Sequence, residues 1–368
     1  MSLIKIELLN EKKEFIYFKE KPTKEELNNL TITNVIFDFN EVLDPYFQEA
    51  NITHLIFKDK FNQQVNNLPA NLKYLIFGYY SKFNQNIDNL PIGLKHLELG
   101  TYFNKPIDNL PLTLIYLQFG RYFNQKIDFL PINLKQLIFD DYSKFNLPID
   151  NLPTELTHLK FGEKFNQTID NLPFELINLK FDWRSKFNLP IDNLPKKLQS
   201  LTLGGKFNEE IIFPKKLLYL ELGASFNQKL DDLPKTLIEL KFSTCSKFNK
   251  SLNNLPENLK KLVFNEDSNF NQPIDNLPKK IIELYLGREF DLPINNLPQN
   301  LEILQFKNYS MFNQSLNCLP NSLKKLIIYN SSYSKDLINL PASLENLVLS
   351  RNYKNKLILP PNCILKKY

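Results

Sequence analysis

One block of about twenty residues recurs along almost the whole of this 368-residue chain. FNQNIDNLPIGLKHLELG is followed by a second copy, FNKPIDNLPLTLIYLQFG, and by a third, FNQKIDFLPINLKQLIF. The Phe-Asn pair and the Leu-Pro pair keep a constant separation, and fifteen matching prolines mark fifteen blocks spaced mostly 20 or 22 residues apart. Because a fixed period of this length is typical of stacked repeats, the sequence predicts a solenoid and not several globular domains.

Each block contains one short strand pattern. In LKYLIF, Leu75 and Phe77 alternate with Ile76, which is the two-residue period of a half-buried strand. A strand this short is not stable alone, but parallel stacking on its neighbours supplies hydrogen bonds and a continuous apolar interior. The FNxxIDNLP segment is rich in turn residues and predicts the return path of the coil. We expect the FN asparagines to bond to backbone groups of the turn and the adjacent coil.

The LxxLxF spacing resembles leucine-rich repeats, and the fuller pattern FNxxIDNLPxxLxxLxF resembles the FNIP repeat, a relative found in social amoebae and giant viruses of amoebae. The resemblance covers about residues 51 to 361. It implies a mainly β fold: a leucine-rich-repeat-like, right-handed solenoid with a parallel concave sheet and a helix-poor convex side. In that family the repeats often follow an F-box, which links targets to a ubiquitin ligase. No helical F-box pattern precedes the repeats in this sequence.

The sequence predicts three regions: an N-terminal cap with a degenerate first coil at residues 1–50, the repeats at residues 51–361, and a C-terminal end at residues 362–368. Within the cap, SLIKIELL and EFIYF indicate a strand pair, and Thr23 with Glu26 three residues on forms a capping-box pattern. The repeat pattern ends at Ile364-Leu365 and two lysines. We expect an exposed sheet edge there, through which a second copy could form a homodimer.

One outward-facing column of the predicted sheet contains all three histidines, interleaved with tyrosines. Neighbouring parallel strands lie about 4.8 Å apart, whereas the ligands of one zinc ion lie about 2 Å from it. Histidines two coils apart therefore do not converge on a metal easily. A recognition strip, a solvated face and a metal site remain as interpretations, and we predict the recognition strip. Its candidate partner-binding residues are His54, Tyr74, His96, Tyr116, His158 and Tyr219, with Tyr285 in the next outward column.

Six coils carry a two-residue insertion just after the strand, which places the inserted residues on one rim. Tyr, Trp and Arg dominate the energetics of protein interfaces. We therefore predict partner contact, although turns that merely cover the sheet edge are the alternative. The candidate rim residues are Tyr79, Tyr80, Tyr142, Trp183, Arg184 and Tyr309.

Charged residues also recur at fixed positions. Lysines such as Lys196, Lys215 and Lys235 directly follow the proline of their block in the second half. Acidic residues nearly match basic ones, 40 against 45, so we interpret these lysines as solubilising and expect no nucleic-acid partner. A column of aspartates could bind calcium or accept backbone N–H groups within each turn, and we predict the second. Its members are Asp88, Asp108, Asp128, Asp150, Asp170 and Asp192.

No catalytic or phosphate-binding motif such as HExxH, GxSxG or GxxxxGK[ST] occurs, so we predict no enzyme activity, cofactor or metal. The cysteines Cys245, Cys318 and Cys363 lie far apart without a CxxC pair, which favours a reducing cytoplasm, that of the host if the protein is viral. No apolar run of about 18 residues indicates a membrane span. The predicted function is a protein–protein interaction scaffold that binds unidentified partners through the concave face and the rim. A ubiquitin-ligase adaptor and a self-assembling structural protein are the alternatives.

Overall fold

The computed structural model describes residues 2–8 and 11–368, which divide into two compact units: unit one, residues 1–178, and unit two, residues 179–368. Each unit is a β-solenoid in which every coil adds one short strand to a sheet. Within each unit, all described strand pairings after the N-terminal hairpin are parallel. The predicted fold class, a mainly β leucine-rich-repeat-like solenoid with almost no helix, is confirmed.

Unit one begins with the predicted strand pair, β1 (Ser2–Leu8) and β2 (Glu11–Phe18), in antiparallel register. Leu9, included in the predicted first strand, lies outside the described residues. The one-turn helix α1 (Lys24–Asn28) follows, and its predicted capping box is present, since the Thr23 hydroxyl accepts a hydrogen bond from the Glu26 N–H. A 3-10 turn spans Pro45–Glu49. The remaining strands are β3 (Asn34–Phe37), β4 (His54–Phe57), β5 (Tyr74–Phe77), β6 (His96–Glu98), β7 (Tyr116–Phe119), β8 (Gln136–Phe139) and β9 (His158–Phe161).

Unit two repeats the same coil. The strand β10 (Asn178–Phe181) begins at the last residue of unit one. An isolated parallel bridge joins Leu337 to Leu357 on the return side of the last coils. The later strands are β11 (Ser200–Thr202), β12 (Tyr219–Leu222), β13 (Glu239–Phe242), β14 (Lys261–Phe264), β15 (Glu283–Leu286), β16 (Ile303–Phe306), β17 (Lys325–Ile328), β18 (Asn346–Leu349) and β19 (Ile364–Lys367).

The interior consists of apolar columns that run from coil to coil. In β5, Leu75 and Phe77 are buried while Ile76 is half-buried on the outer face, as the alternation predicts. The FN phenylalanines form their own column, in which the rings of Phe103 and Phe123 lie 6.2 Å apart at 9°. Such aromatic pairs add about 0.5–1.5 kcal/mol each beyond their buried area. A coil therefore gains much of its stability from the coils on either side.

The FN asparagines form a second column, and the prediction that they bond to the adjacent coil is confirmed. The Asn84 side-chain oxygen accepts the backbone N–H of Asn104 at 2.9 Å, and Asn104 accepts that of Asn124 at 2.9 Å. In unit two an aspartate takes one place without breaking the column, because the Asp291 carboxylate accepts the Asn313 N–H at 2.8 Å. Each asparagine thus satisfies a backbone donor one coil later, which explains why the repeat retains a short side chain with an oxygen there.

The six inserted turns share a buried serine that sequence reasoning missed. Its hydroxyl accepts the backbone N–H of the FN phenylalanine two residues later, for example from Phe145 to Ser143 at 3.1 Å. This bond closes the longer turn and returns the chain to the common path. The signal was present in the inserted sequences themselves, which all place a serine two residues before the phenylalanine. The six residues are Ser81, Ser143, Ser185, Ser246, Ser268 and Ser310.

Candidate interaction surfaces

Four rings of the predicted outward column form a continuous stack in unit one. His54 stacks on Tyr74 at 4.2 Å, Tyr74 lies 5.4 Å from His96, and His96 stacks on Tyr116 at 4.1 Å. The parallel register of β4 to β7 produces this contact, since it sets these four residues opposite one another. We call His54, Tyr74, His96 and Tyr116 the His/Tyr column.

Within the His/Tyr column His96 is buried, whereas the other three rings are half-buried. Only 3% of the His96 side chain is exposed, and its Nε2 lies 2.6 Å from a Glu98 carboxylate oxygen. His96, predicted as a contact residue, therefore offers little of its ring to a partner because the tyrosines cover both faces. The Tyr116 hydroxyl donates to the Gln118 side chain at 2.7 Å, and burial raises the pKa of Tyr116. The column is thus a stack of packed, hydrogen-bonded rings on the sheet face.

His54 ends the His/Tyr column beside a lysine. Its Nε2 lies 3.3 Å from Lys13 Nζ, and its Nδ1 lies 3.0 Å from the Thr53 hydroxyl. Burial, followed by the positive charge of Lys13, lowers the pKa of His54 to about 4. His54 is therefore neutral near pH 7, when one ring nitrogen can accept a hydrogen bond from the ammonium group.

His158 lies on β9, apart from the His/Tyr column. Gln136 precedes it in the outward column, so it has no aromatic neighbour on the β8 side. Its Nδ1 lies 2.9 Å from the Thr157 hydroxyl, and burial lowers its pKa. The structure thus joins two of the three histidines to the stack and leaves His158 separate. Within the described part of the chain, no three or more His, Cys, Asp and Glu side chains are grouped so as to hold a metal ion.

The equivalent face of unit two is charged. Tyr219 donates its hydroxyl to Glu221 at 2.6 Å, and Lys241 pairs with the same carboxylate at 2.9 Å. Tyr285 donates to Glu283 at 2.9 Å, and burial, the hydrogen bond and the charge of that carboxylate raise the pKa of Tyr285 to about 12. The two predicted tyrosines are therefore held within networks of opposite charges and do not form an aromatic strip.

The inserted turns of unit one expose a row of tyrosines, as predicted for Tyr79, Tyr80 and Tyr142. Between 39% and 69% of these three side chains is exposed. Tyr102 and Tyr122 extend the row, and their rings stack at 5.2 Å. Sequence reasoning missed these two residues because their coils have no insertion, although both directly precede the FN pair. We call these five tyrosines the unit-one rim.

Two basic side chains brace the unit-one rim. The Arg121 guanidinium lies 5.5 Å from the Tyr122 ring and 5.8 Å from the Tyr142 ring. The Lys144 ammonium lies 4.4 Å from the Tyr122 ring. Such cation–π contacts stabilise exposed sites by about 0.5–1 kcal/mol. The exposed Tyr142 and the half-buried Tyr122 are therefore held in place, which reduces the entropy that these two side chains lose when a partner binds.

The rim residues predicted in unit two are also exposed but lie in different inserted turns. Trp183 is 64% exposed, with the Arg184 guanidinium 4.3 Å from its ring. Tyr309 is 78% exposed and has a φ of 60°, a left-handed backbone that non-glycine residues rarely adopt. No residue pattern around Tyr309 indicates that backbone conformation.

The rim that follows the Leu-Pro pair differs between the units. In three successive coils of unit one, Ile92, Leu112 and Ile132 are 85%, 68% and 60% exposed. Sequence reasoning missed these apolar residues because it considered only the lysines at this position. Exposed apolar residues in successive coils are a feature of interaction surfaces.

The predicted role of the aspartate column is wrong for Asp88. Its carboxylate accepts the Asn109 side-chain amide at 3.1 Å, one coil later, and the Asn86 amide within its own turn. The reason is that all six aspartates lie exposed at the coil surface, where side-chain amides of neighbouring asparagines are within reach. Calcium binding gains no support from this arrangement.

Two further findings bear on the sequence predictions. Cys245, Cys318 and Cys363 are all free thiols. In the part of the chain that the structure describes, no helix has both the length and the apolar character needed to cross a membrane.

The fold and surfaces define a leucine-rich-repeat-like β-solenoid, and comparison with known proteins identifies its family. The model of the FNIP Repeat matches nine segments that together cover most of the chain, so the protein belongs to the FNIP-repeat family. The matched residues are 50–80, 83–122, 107–142, 123–164, 185–225, 207–245, 248–289, 270–309 and 312–347. A search of the curated proteins gave no match.

Solved structures support the same fold. The crystal structure of CroV588, described as a novel circular LRR protein and belonging to the giant virus CroV, is 29% identical with a TM-score of 0.61. The alignment covers 94% of this chain but only 64% of CroV588. The functional domain of InlJ from Listeria monocytogenes is 14% identical with a TM-score of 0.57, over 81% of this chain and 68% of that one. A TLR13–ssRNA13 complex is 16% identical with a TM-score of 0.59, over 91% and 59%. The last two show the fold alone.

Proposed function

We propose that this chain is a non-enzymatic scaffold that binds a protein partner, and that the unit-one rim is its main contact surface. The observation that carries the proposal is a row of four exposed tyrosines and the half-buried Tyr122, part of which Arg121 and Lys144 brace. Tyrosine presents a large rigid surface together with a hydroxyl group, which is why it is enriched at interface hot spots. The His/Tyr column supports the adjacent sheet face.

The partner that we propose is a protein of an amoeba, or of an amoeba infected by a giant virus, encountered in the cytoplasm. The family resemblance and the likeness to a giant-virus protein support this choice. The charged face of unit two leaves room for a second, more polar contact, because paired charges at a rim contribute to specificity more than to affinity.

The test is affinity capture from amoebal lysate with the wild type and a Tyr79→Ala/Tyr80→Ala/Tyr142→Ala variant. A matched control, Lys196→Ala/Lys215→Ala/Lys235→Ala, removes three exposed side chains from the other rim. We expect the tyrosine variant to lose a partner that the control retains, with a fall in affinity of about 100-fold or more for three hot-spot residues. Equal recovery by all three proteins would contradict the proposal.

Self-association is a second candidate, because β19 pairs in parallel with β18 on one side and with no described strand on the other. An unpaired edge is a template for another strand, although the exposed Lys366 and Lys367 oppose such pairing. Mass measurement by light scattering over a range of concentrations tests it. A dimer that a Leu365→Pro substitution dissociates would support edge pairing, and a monomer at all concentrations would exclude it.

A further inference from the structure

A cleft of about 610 Å³ lies on the rim of unit two, between two inserted turns. Trp183 and Arg184 belong to the first turn, and Thr244 and Cys245 belong to the second. The two coils between these turns have no insertion, so the rim is lower there than on either side. The cleft thus arises from a particular order of long and short coils, which sequence periodicity alone did not reveal.

The floor of this cleft contains unusually small residues. Gly205 and Ala224 stand two positions before the FN phenylalanine of their coils. A Cβ atom at Gly205 would lie 2.4 Å from the Trp183 carbonyl oxygen, so a larger residue there would require the two coils to move apart. Four other short coils carry a longer side chain at the equivalent position: Thr101, Arg121, Glu163 and Arg288.

The walls of the cleft are cationic. Arg184, Lys206, Lys241 and Lys247 line it together with a single carboxylate, Glu221, which gives a formal net charge of +3. Lys241 neutralises Glu221 directly at 2.9 Å. Among the described residues, neither Lys206 nor Lys247 forms an ion pair with a carboxylate. Two ammonium groups are thus available to an anion in the cleft.

A flat aromatic group stands at one end of the cleft. The Trp183 ring is 64% exposed and carries the Arg184 guanidinium 4.3 Å from its centre. Indole and guanidinium groups both stack well against planar rings. A volume of 610 Å³ is in the range of about 300–1,000 Å³ that small-molecule sites occupy.

We propose that this cleft binds a small anion of the nucleotide class. Its planar ring stacks on Trp183 and Arg184, and its phosphate lies between Lys206 and Lys247. An uncharged aromatic molecule would not use the two lysines, and a bare phosphate would not use the stacking surface of Trp183 and Arg184. The cleft is separate from the unit-one rim, so nucleotide binding would add a small-molecule function to the proposed scaffold. The nucleotide proposal can therefore be confirmed or refuted independently of the proposed partner binding.

The chain offers a direct assay, because Trp183 is its only tryptophan. Selective excitation of tryptophan fluorescence therefore reports on the cleft during titration with AMP, adenosine and inorganic phosphate. We expect a saturable change with AMP and binding at least about tenfold weaker for adenosine and for phosphate. No saturable change with AMP up to about 10 mM, or equal binding of phosphate and AMP, would overturn the proposal.

Two variants separate the cleft from general electrostatic attraction. Lys206→Gln/Lys247→Gln should weaken AMP binding at least about tenfold, whereas Lys60→Gln/Lys82→Gln, at the same repeat position in unit one, should leave it unchanged. Ala224→Arg fills the floor with the residue that Arg121 and Arg288 show the repeat accepts, while adding a positive charge.

For Ala224→Arg we expect loss of AMP binding with an unchanged thermal unfolding midpoint. Tighter AMP binding by Ala224→Arg would show that net charge alone attracts the nucleotide. An equal fall in AMP affinity for the two double lysine variants would lead to the same conclusion. Either result would overturn the assignment of the cleft.

Discussion

Directly after the proline of the repeat, unit one exposes isoleucine or leucine in three successive coils, whereas four coils of unit two place an exposed lysine at the same position. The outer face of the sheet also is aromatic in unit one and charged in unit two. Unit one stacks aromatic rings from His54 to Tyr116, and unit two alternates Glu239, Lys261 and Glu283, with ion pairs of 3.7 Å and 3.5 Å. The surfaces of the two units therefore differ in polarity and charge.

Beneath these surfaces the two units have the same interior. The rings of Phe103 and Phe123 in unit one lie 6.2 Å apart, and those of Phe248 and Phe270 in unit two lie 6.1 Å apart. The asparagine column also continues in both, with bonds near 3 Å. Because internal positions must match the coils on both sides, they tolerate little change, while outward positions vary freely. The comparison predicts that equivalent internal substitutions lower the stability of both units equally. Equivalent surface substitutions should have different effects in the two units.

The largest effect should come from the phenylalanine column. Phe123→Ala in unit one and Phe270→Ala in unit two should each lower the free energy of unfolding by about 3–5 kcal/mol, because each removes a fully packed ring between two neighbours. Denaturant unfolding measures both values, and the exposed Tyr80→Ala serves as the control, with a change below about 0.5 kcal/mol. Values that differ by more than a factor of two between the units would break the equivalence of the interiors.

The asparagine column should give the next effect. Asn124→Ala removes the acceptor of the Asn146 N–H, and Asn271→Ala removes that of the Asp291 N–H, so each should cost about 1–3 kcal/mol. Asn124→Asp should retain most of the stability, since Asp291 already performs this role in the native chain. Denaturant unfolding again provides the measurement. An aspartate variant as unstable as the alanine variant would show that the side-chain oxygen is not the important feature.

A matched pair of tyrosines tests the inserted turns, which differ in backbone conformation between the units. Tyr309 in unit two has a φ of 60°, whereas Tyr80, at the same repeat position in unit one, is not among the described residues with positive φ. Tyr309→Gly should therefore stabilise the protein by up to about 1 kcal/mol, and Tyr80→Gly should destabilise it by about 0.5–1 kcal/mol. Thermal unfolding of both variants measures these changes in stability. Changes of the same sign would contradict the proposed difference in backbone conformation.

The smallest effect concerns pH. All three histidines belong to unit one, and the pKa of His54 falls from 6.5 to about 4 on folding. The unfolded chain therefore binds more protons between these values, so the contribution of neutral His54 is complete above pH 6.5 and is lost as pH falls toward 4.

Because the His54 ring is half-buried, solvent screening reduces this contribution to about 1 kcal/mol. Thermal unfolding near pH 7 and near pH 4 should show a smaller loss of stability for His54→Gln than for the wild type. Identical pH dependence of the two proteins would remove His54 as the cause.

Most of the fold followed from the sequence because a repeat must satisfy the same contacts in every coil. Leu75, Phe77 and the FN asparagines were placed correctly by alternation and by the need to satisfy buried backbone groups. The surfaces were predicted less well, since they depend on which side chains meet across neighbouring coils. The burial of His96 between two tyrosines and the bonds of Asp88 to side-chain amides could not be read from one coil alone.

The cleft in unit two shows the same limit. Its lining residues come from five successive coils of unequal length, and the periodic pattern does not reveal how such turns combine. Trp183 and Arg184 were predicted as rim residues, but the role of small Gly205 and Ala224 between two longer turns appeared only in the structure. A comparison of equivalent positions across the short coils would have shown from the sequence that Gly205 and Ala224 are unusually small.

Hydrogen–deuterium exchange resolved to single amides tests most directly whether each of the two units has the same repeating interior. We predict slowly exchanging amides in every strand and at each FN asparagine, recurring every 20 to 22 residues in both units, with fast exchange just after each Leu-Pro pair. Protection confined to one unit, or spread evenly over stretches longer than a coil, would contradict the account.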